Sequence, residues 1–347
     1  MFQARADDKV HPVFKVAVVA EALRAEGVDP AASLRAAGVG ARDLSSPRAR
    51  VSLNQILLFY RAALQRASDG SFAARAARRF RVSTYGLYGF ALLTSADHRR
   101  ALRFAERYRP LAAPLADIVF RERDGRAEWA ITPPPSPQVD AELYRFLVEL
   151  QFGIQKSVCR DLMGPAFGPI ELSVVYGAPS DSRGCVEGFD CPVAFNAPEN
   201  KFVFNAKWLD EVPQLGDALA HALARGLCDQ AMIEFKRRTG VAGEVRETLL
   251  GDPAHRASFE AVAARLRFAP RTLRRKLAQE GVSFRKLRDE LRIEAAIRSL
   301  RDAGASVEEV ADALDFAEAT NFREAFRRWT GRAPNQFRFH HRAPSRS

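Results

Sequence analysis

Residues 306–334, SVEEVADALDFAEATNFREAFRRWTGRAP, decide the fold of the C-terminal part of the chain. The segment has the rhythm of a helix, a tight turn and a second helix dense in arginine. Val310, Ala311, Leu314 and Phe316 fall where a first helix and its turn bury apolar side chains, and Phe322 is the first buried residue expected of the second helix.

The same frame occurs upstream. FEAVAARLRFAPRTLRRKL (259–277) overlays VEEVADALDFAEATNFREAF (307–326) with one insertion. Each carries Glu-x-Val-Ala, then Leu266 or Leu314, then Phe268 or Phe316, and enters a second helix through Leu273 or Phe322. Two helix-turn-helix modules are therefore predicted, joined by a long helix over SFRKLRDELRIEAAIRSLRDAG (283–304). A helix of about 20 residues spans roughly 30 Å, close to the ~34 Å between successive major-groove faces of B-DNA. Two recognition helices on one chain can thus enter adjacent major grooves from one side. Leu273, Leu277, Phe284, Phe316, Phe322, Phe326 and Trp329 are assigned to the core.

The charge distribution agrees. The 347 residues carry a formal net charge of +11. Residues 241–347 hold 21 Lys+Arg against 15 Asp+Glu, whereas residues 1–240 hold 32 against 27, so the last third is the more basic part and suits a polyanionic partner. This length predicts two domains. No apolar run approaches the roughly 18–20 residues of a membrane span, and MFQARADDKVHP does not read as a secretory signal. A cytoplasmic protein without a membrane partner is expected. Cys159, Cys185, Cys191 and Cys228 lack metal-binding spacing, and no glycine-rich phosphate loop, HExxH or GxSxG occurs, so no metal or other cofactor is expected.

Before residue 205 the periodicity alternates. Residues 13–110 read mainly as helices, and DIVFRERDGRAEWAIT (117–132) reads as a β-hairpin around Asp124-Gly125. A helix over 141–164 and strands within 168–179 and 191–205 follow. GDALAHALARGLCDQAMIEFKRR (216–238) is a helix with Leu219, Leu223, Leu227 and Ala231 every four residues, a stripe that serves either as a homodimer face or as packing on its own domain. The predicted fold class is an α+β N-terminal domain (1–205), helices plus a small antiparallel sheet, and a linker helix within 206–240. An all-α DNA-binding domain (241–342) with two helix-turn-helix modules joined by a long helix follows, then a tail (343–347).

At the level of motifs, residues 241–340 resemble the DNA-binding domain of AraC/XylS-type bacterial transcriptional regulators. The resemblance is carried by Pro270-Arg271-Thr272-Leu273-x-Arg275 and Gly281-x-x-Phe284 in the first module. In the second it is carried by Val310-Ala311, Phe316, Phe322, Ala325-Phe326, Arg328-Trp329, Gly331, Pro334 and Phe337-Arg338. It implies a regulator of promoter DNA, with RNA polymerase as a further partner; the sign of regulation is open. Arginine can chelate a guanine edge with two hydrogen bonds, which nominates Arg271, Arg274 and Arg275, with Thr272 beside them, as base readers of the first module. Thr320, Asn321 and Arg323 are those of the second, asparagine being suited to adenine. Arg285, Lys286, Arg327 and Arg328 are phosphate-contact candidates.

Three departures from the family pattern stand out. Arg267 and Asp315 replace the usual turn glycine, which costs on the order of 1 kcal/mol if φ is positive there. Ala269 and Ala317 replace the usual capping serine, a loss of about 0.5–2 kcal/mol per helix end. Glu324 stands where the family usually has a DNA-contacting arginine; its carboxylate repels phosphate, although it can accept from a cytosine amino group.

Residues 86–111 and 192–217 resemble parts of the N-terminal effector domain in the branch of this family that includes ornithine-utilisation regulators and VirS-like proteins. This implies sensing of a small-molecule effector. Tyr85, Tyr88, Phe90, Tyr108, Trp129 and Phe152 are candidates to line an apolar cavity or, equally, to pack the core. Two other readings remain. Asp97-His98 is the sole acid–histidine neighbour pair and is better read as a helix start than as a catalytic base, so no enzyme and no catalytic residue is expected. Cys185 and Cys191 could make a thiol-based redox regulator that needs no small-molecule ligand.

Overall fold

The computed structural model describes residues 6–67, 69–178, 189–211, 213–252, 257–301 and 305–337. The chain forms two compact units that part between Phe235 and Lys236, so residues 206–235 fold with the first unit rather than as a separate linker.

The first unit begins with a short ribbon, β1 (His11–Pro12) paired with β2 (Arg50–Val51), which the sequence reading did not foresee. Helices α1 (Phe14–Ala25), α2 (Ala31–Ala36), α3 (Leu53–Leu64), α4 (Phe72–Ala77), α5 (Gly86–Leu93) and α6 (His98–Arg107) follow. The hairpin β3 (Asp117–Arg123) and β4 (Arg126–Thr132) comes next. Its turn residues Asp124 and Gly125 both take positive φ, 51° and 75°, as a type I′ turn requires. Ala127, Trp129 and Ile131 then alternate onto the buried face of the sheet.

Helix α7 (Ala141–Met163) is the spine of this unit. Asp140 caps it by accepting from the Leu143 N–H at 2.9 Å, and Gly164, at φ 100°, ends it. One side of α7, with Phe146, Leu147, Leu150 and Ile154, packs into the core formed with α1, α3 and α4. The other side, with Val148, Phe152 and Cys159, packs under the sheet. Gly153 permits the first contact, because a Cβ there would lie 2.4 Å from the Ala77 Cβ.

Strands β5 (Glu171–Ser173), β6 (Val193–Ala194) and β7 (Lys201–Asn205) complete a five-stranded sheet in the order β3-β4-β7-β5-β6. The sheet is mixed: β5 and β6 run parallel, and the other pairs are antiparallel. Helix α8 (Ala218–Arg238) turns Ala224 and Cys228 towards Tyr88, Ala91 and Phe104.

The second unit is all-helical. It contains α9 (Gly240–Leu250), α10 (Phe259–Arg265), α11 (Pro270–Gln279), α12 (Phe284–Arg301), α13 (Val307–Ala313) and α14 (Ala319–Thr330). Two small cores lie along α12. Leu287 and Leu291 join Val245, Leu249, Val262, Leu273 and Leu277. Further along the same helix, Ala296 and Leu300 join Val310, Leu314, Phe322 and Phe326. The repeat in the sequence is thus a repeat in space, with α12 common to both halves. Glu280, just after α11, accepts the Val241 and Ala242 N–H groups, both at 2.9 Å, and so caps α9.

Candidate functional site

Each module holds its second helix by the same turn. The first helix of each closes with Phe268 N–H donating to the Ala263 carbonyl (2.8 Å), or Phe316 N–H donating to the Ala311 carbonyl (2.9 Å). This closure needs a left-handed residue just past the helix end. Arg267 supplies it in one module at φ 56°, and Asp315 in the other at φ 59°.

The supporting helices are well capped: Ser258 accepts from Ala261 N–H, and Ser306 and Glu309 form a reciprocal capping box. The recognition helices are not. Ala269 caps α11 without a side-chain bond, with Pro270 at the first helical position. In the second module the capping position belongs to Glu318 rather than Ala317, and its side chain makes no capping bond either.

Burying Leu273 and Leu277 turns Arg271, Arg274 and Arg275 outward on α11, with Thr272 half-buried beside them. The Arg274 guanidinium lies 5.2 Å from the centre of the Phe259 ring, steadied by its own module. Burial of Phe322, Ala325 and Phe326 likewise exposes Thr320, Asn321, Arg323, Arg327 and Arg328 on α14. Glu324, also exposed, is three or four residues from Thr320, Asn321, Arg327 and Arg328 and therefore sits in the middle of that face. Arg323 pairs with Glu308 at 2.5 Å. Arg285 and Lys286 are exposed at the start of α12, where Ser283 accepts from the Lys286 N–H at 3.3 Å. A helix N-terminus with two flanking cations suits a phosphate oxygen.

A cavity of about 140 Å³ opens in the first unit. Of the six aromatic residues nominated for it, Tyr85, Tyr88 and Trp129 line it. The other three do not. Phe90 is on the surface, 47% exposed. Phe152 is buried against Phe189 and Phe202 in the sheet core. Tyr108 packs at a tilt against Phe104, ring centres 4.3 Å apart, and donates to Asp229 at 2.6 Å.

The sequence reading missed Lys15, His98 and Gln151, all buried and all lining the cavity. The signal for Lys15 is a single cation inside the apolar run VFKVAVVAEAL, which amphipathic spacing alone does not mark as special. Its ammonium donates to the Tyr85 hydroxyl at 3.3 Å and lies 5.2–5.6 Å from the centres of the Phe14, Phe80 and Tyr85 rings. Burial brings its pKa down to about 7. Asp97 caps α6 by accepting from Arg100 N–H at 2.7 Å, in line with its reading as a helix start.

The redox alternative gains no support. Cys185 lies outside the described residues, and burial pushes the half-buried Cys191 thiol up to about 11, away from the reactive thiolate. Among the described residues no helix is long and apolar enough to cross a membrane.

Residues 27–213 match the family model described as the arabinose-binding N-terminal domain of the AraC transcription regulator, and residues 262–339 match a helix-turn-helix domain. The chain is 29% identical to an uncharacterised HTH-type transcriptional regulator, Mb1430, of Mycobacterium bovis, over 94% of this chain and 96% of that protein. It is 25% identical to the ornithine utilization regulator of Pseudomonas aeruginosa, again over 94% and 96%. A solved structure, the transcriptional regulator CdpR from Pseudomonas aeruginosa, aligns over 94% of this chain and 98% of that one, at 21% identity and a TM-score of 0.49. With the N-terminal family domain matched over more than half its length and a helix-turn-helix domain over its two C-terminal modules, the chain belongs to the AraC family and is a DNA-binding transcriptional regulator.

Proposed function

We propose that α11 and α14 read two successive major grooves of promoter DNA, and that a small molecule held in the cavity of the first unit controls this binding. The observation that carries the DNA reading is the pair of identical left-handed turns, each presenting a row of exposed polar and basic side chains from opposite ends of one helix. Helix α12 has 18 residues, roughly 27 Å at 1.5 Å per residue, which suits the ~34 Å groove repeat once the recognition helices are added. Arg271, Arg274, Arg275, Thr320, Asn321 and Arg323 are the proposed base readers, and Arg285, Lys286, Arg327 and Arg328 the proposed phosphate contacts. Binding-site mapping with the purified protein at stated salt tests this. A motif across two adjacent grooves is expected. A motif confined to one groove would leave α14 as a backbone clamp or as a contact for another protein such as RNA polymerase.

A second copy of the chain is the proposed occupant of the leucine stripe on α8. Leu219, Leu223, Leu227 and Ile233 are 73%, 64%, 44% and 60% exposed. At 3.6 residues per turn they fall within about a third of the helix circumference, opposite the buried Ala224, Cys228 and Phe235. An apolar stripe of this kind is self-complementary across a two-fold axis.

A further inference from the structure

Lys15 has an unusual setting for a lysine. It is 2% exposed and, among the described residues, no carboxylate pairs with it. Its ammonium is held by one phenol oxygen and three aromatic rings, and its side chain lines the cavity together with Tyr85. A cation taken out of water without a counter-ion is costly, and here the open space beside it is where a counter-ion can arrive. The rest of the lining is mainly apolar: Leu92, Ile118, Trp129, Ile154 and Leu162 among others. Glu106 and Arg109 are the other charged lining residues. Glu106 is exposed, and Arg109 is a second cation already paired with Asp117 at 2.9 Å, so neither supplies Lys15 with a counter-ion inside the cavity.

We infer that the effector is a small apolar monocarboxylate whose carboxylate seats on the Lys15 ammonium and whose hydrocarbon part fills the cavity. This rests on the sensing role proposed above for the cavity. The volume of about 140 Å³ is near the ~150 Å³ of a cavity that accepts benzene, which limits the apolar body to a ring or a chain of about six carbons. Tyr85, already within hydrogen-bond distance of the ammonium, is placed to donate its hydroxyl hydrogen to the second carboxylate oxygen. The amide of the same acid has the same shape but no charge, so the pair isolates the role of Lys15.

The test titrates hexanoate, hexanamide, phenylacetate and phenylacetamide into the full-length protein and into Lys15→Met, by calorimetry. In the parent the acids bind about tenfold or more tightly than their amides, the discrimination expected of a buried charged hydrogen bond. Lys15→Met brings the ratio to about one and leaves the amides within a few-fold of their parent affinity. Equal binding of acid and amide by the parent, a preference that survives Lys15→Met, or no binding by either acid overturns the anion assignment. The underlying sensing role is tested separately by Ala105→Phe, which places a ring at the cavity wall. Loss of effector response in cells supports that role. An unchanged response in cells that hold the variant at parent levels overturns the role itself, whatever the ligand's charge.

Discussion

Arg267 and Asp315 occupy the same place in the two modules and share one backbone conformation, φ 56° and 59°. Only glycine takes this conformation without cost, and a β-carbon there costs about 1–2 kcal/mol. Asparagine and aspartate lose less, because a short polar side chain can bond locally. Arg267→Gly is therefore expected to stabilise the second unit by about 1 kcal/mol, and Asp315→Gly by less. Urea unfolding of the full chain, followed through the transition of that unit, checks both the sign and the order. A loss of stability in Arg267→Gly would mean that the arginine stem contributes more by packing than its backbone loses.

Much of this second unit was legible because its signals are local. Glu-x-Val-Ala, a leucine, a turn and a phenylalanine occur twice at matching spacing, and the cores repeat them as Val262, Ala263 and Leu273 and as Val310, Ala311 and Phe322. The hairpin at Asp124-Gly125 and the helix start at Asp97 were legible for the same reason. The cavity was not. Lys15, Tyr85, His98, Trp129 and Gln151 come from four helices or turns and one strand. Nothing in the spacing of aromatic residues distinguishes Trp129, which faces the cavity, from Phe152, which packs beneath the sheet. That distinction depends on which side of α7 meets which core, a property of the tertiary fold.

The carboxylate of Glu324 lies in the centre of the α14 face, and Glu308 occupies Arg323. Both oppose DNA. The Arg323–Glu308 pair is exposed at both ends, so it is worth less than about 1 kcal/mol and breaks readily. Glu308→Gln is expected to tighten DNA binding by a few-fold. Glu324→Arg is expected to tighten it by about tenfold at low salt and to steepen the salt dependence by about one counter-ion. Fluorescence anisotropy over a salt series measures both. An unchanged salt slope in Glu324→Arg would show that α14 stays clear of the DNA backbone.

The proposed division of labour in the first module predicts different failures. Arg271→Ala is expected to cost about 1–3 kcal/mol on the best site and to relax preference at one base pair. Arg285→Ala should weaken all sequences about equally and reduce the salt slope by about one. Binding to a randomised pool separates the two. Uniform weakening by Arg271→Ala would move that arginine to the phosphate contacts.

Leu223 stands in the middle of the exposed α8 stripe, 64% exposed, between Leu219 and Leu227. Placing a charge there leaves the buried face of the helix untouched. Leu223→Glu is expected to convert a dimer to a monomer with little change in thermal stability at high dilution. Sedimentation over a concentration series reads this directly. If the parent is a monomer at concentrations where DNA is bound, the stripe has another occupant.

His11 and Lys15 are both buried in the first unit, and burial disfavours the charged form of each, with Lys15 adding to the effect on His11. For His11, burial and the neighbouring Lys15 lower the pKa to about 4 from its ordinary 6.5. Between those values the unfolded chain takes up a proton that the folded chain refuses, so His11 removes stability as pH falls from about 6.5 towards 4. Lys15 works in the next window. Burial lowers it to about 7 from 10.5, so the unfolded chain binds more protons across that range and stability rises with pH from 7 upward. The cost of burying Lys15 is therefore largest at and below pH 7 and is on the order of a few kcal/mol. Carboxylates held low by arginines, such as Glu199 beside Arg121, titrate below this range and do not mask it. Denaturant unfolding of the first unit at pH 5, 7 and 9 is expected to give rising stability in the parent. Lys15→Met should be more stable than the parent at pH 7, with the difference shrinking towards pH 10. A parent whose stability is flat from pH 7 to 9 would mean that Lys15 keeps its proton in the fold, with the aromatic rings and Tyr85 sufficing to hold the charge.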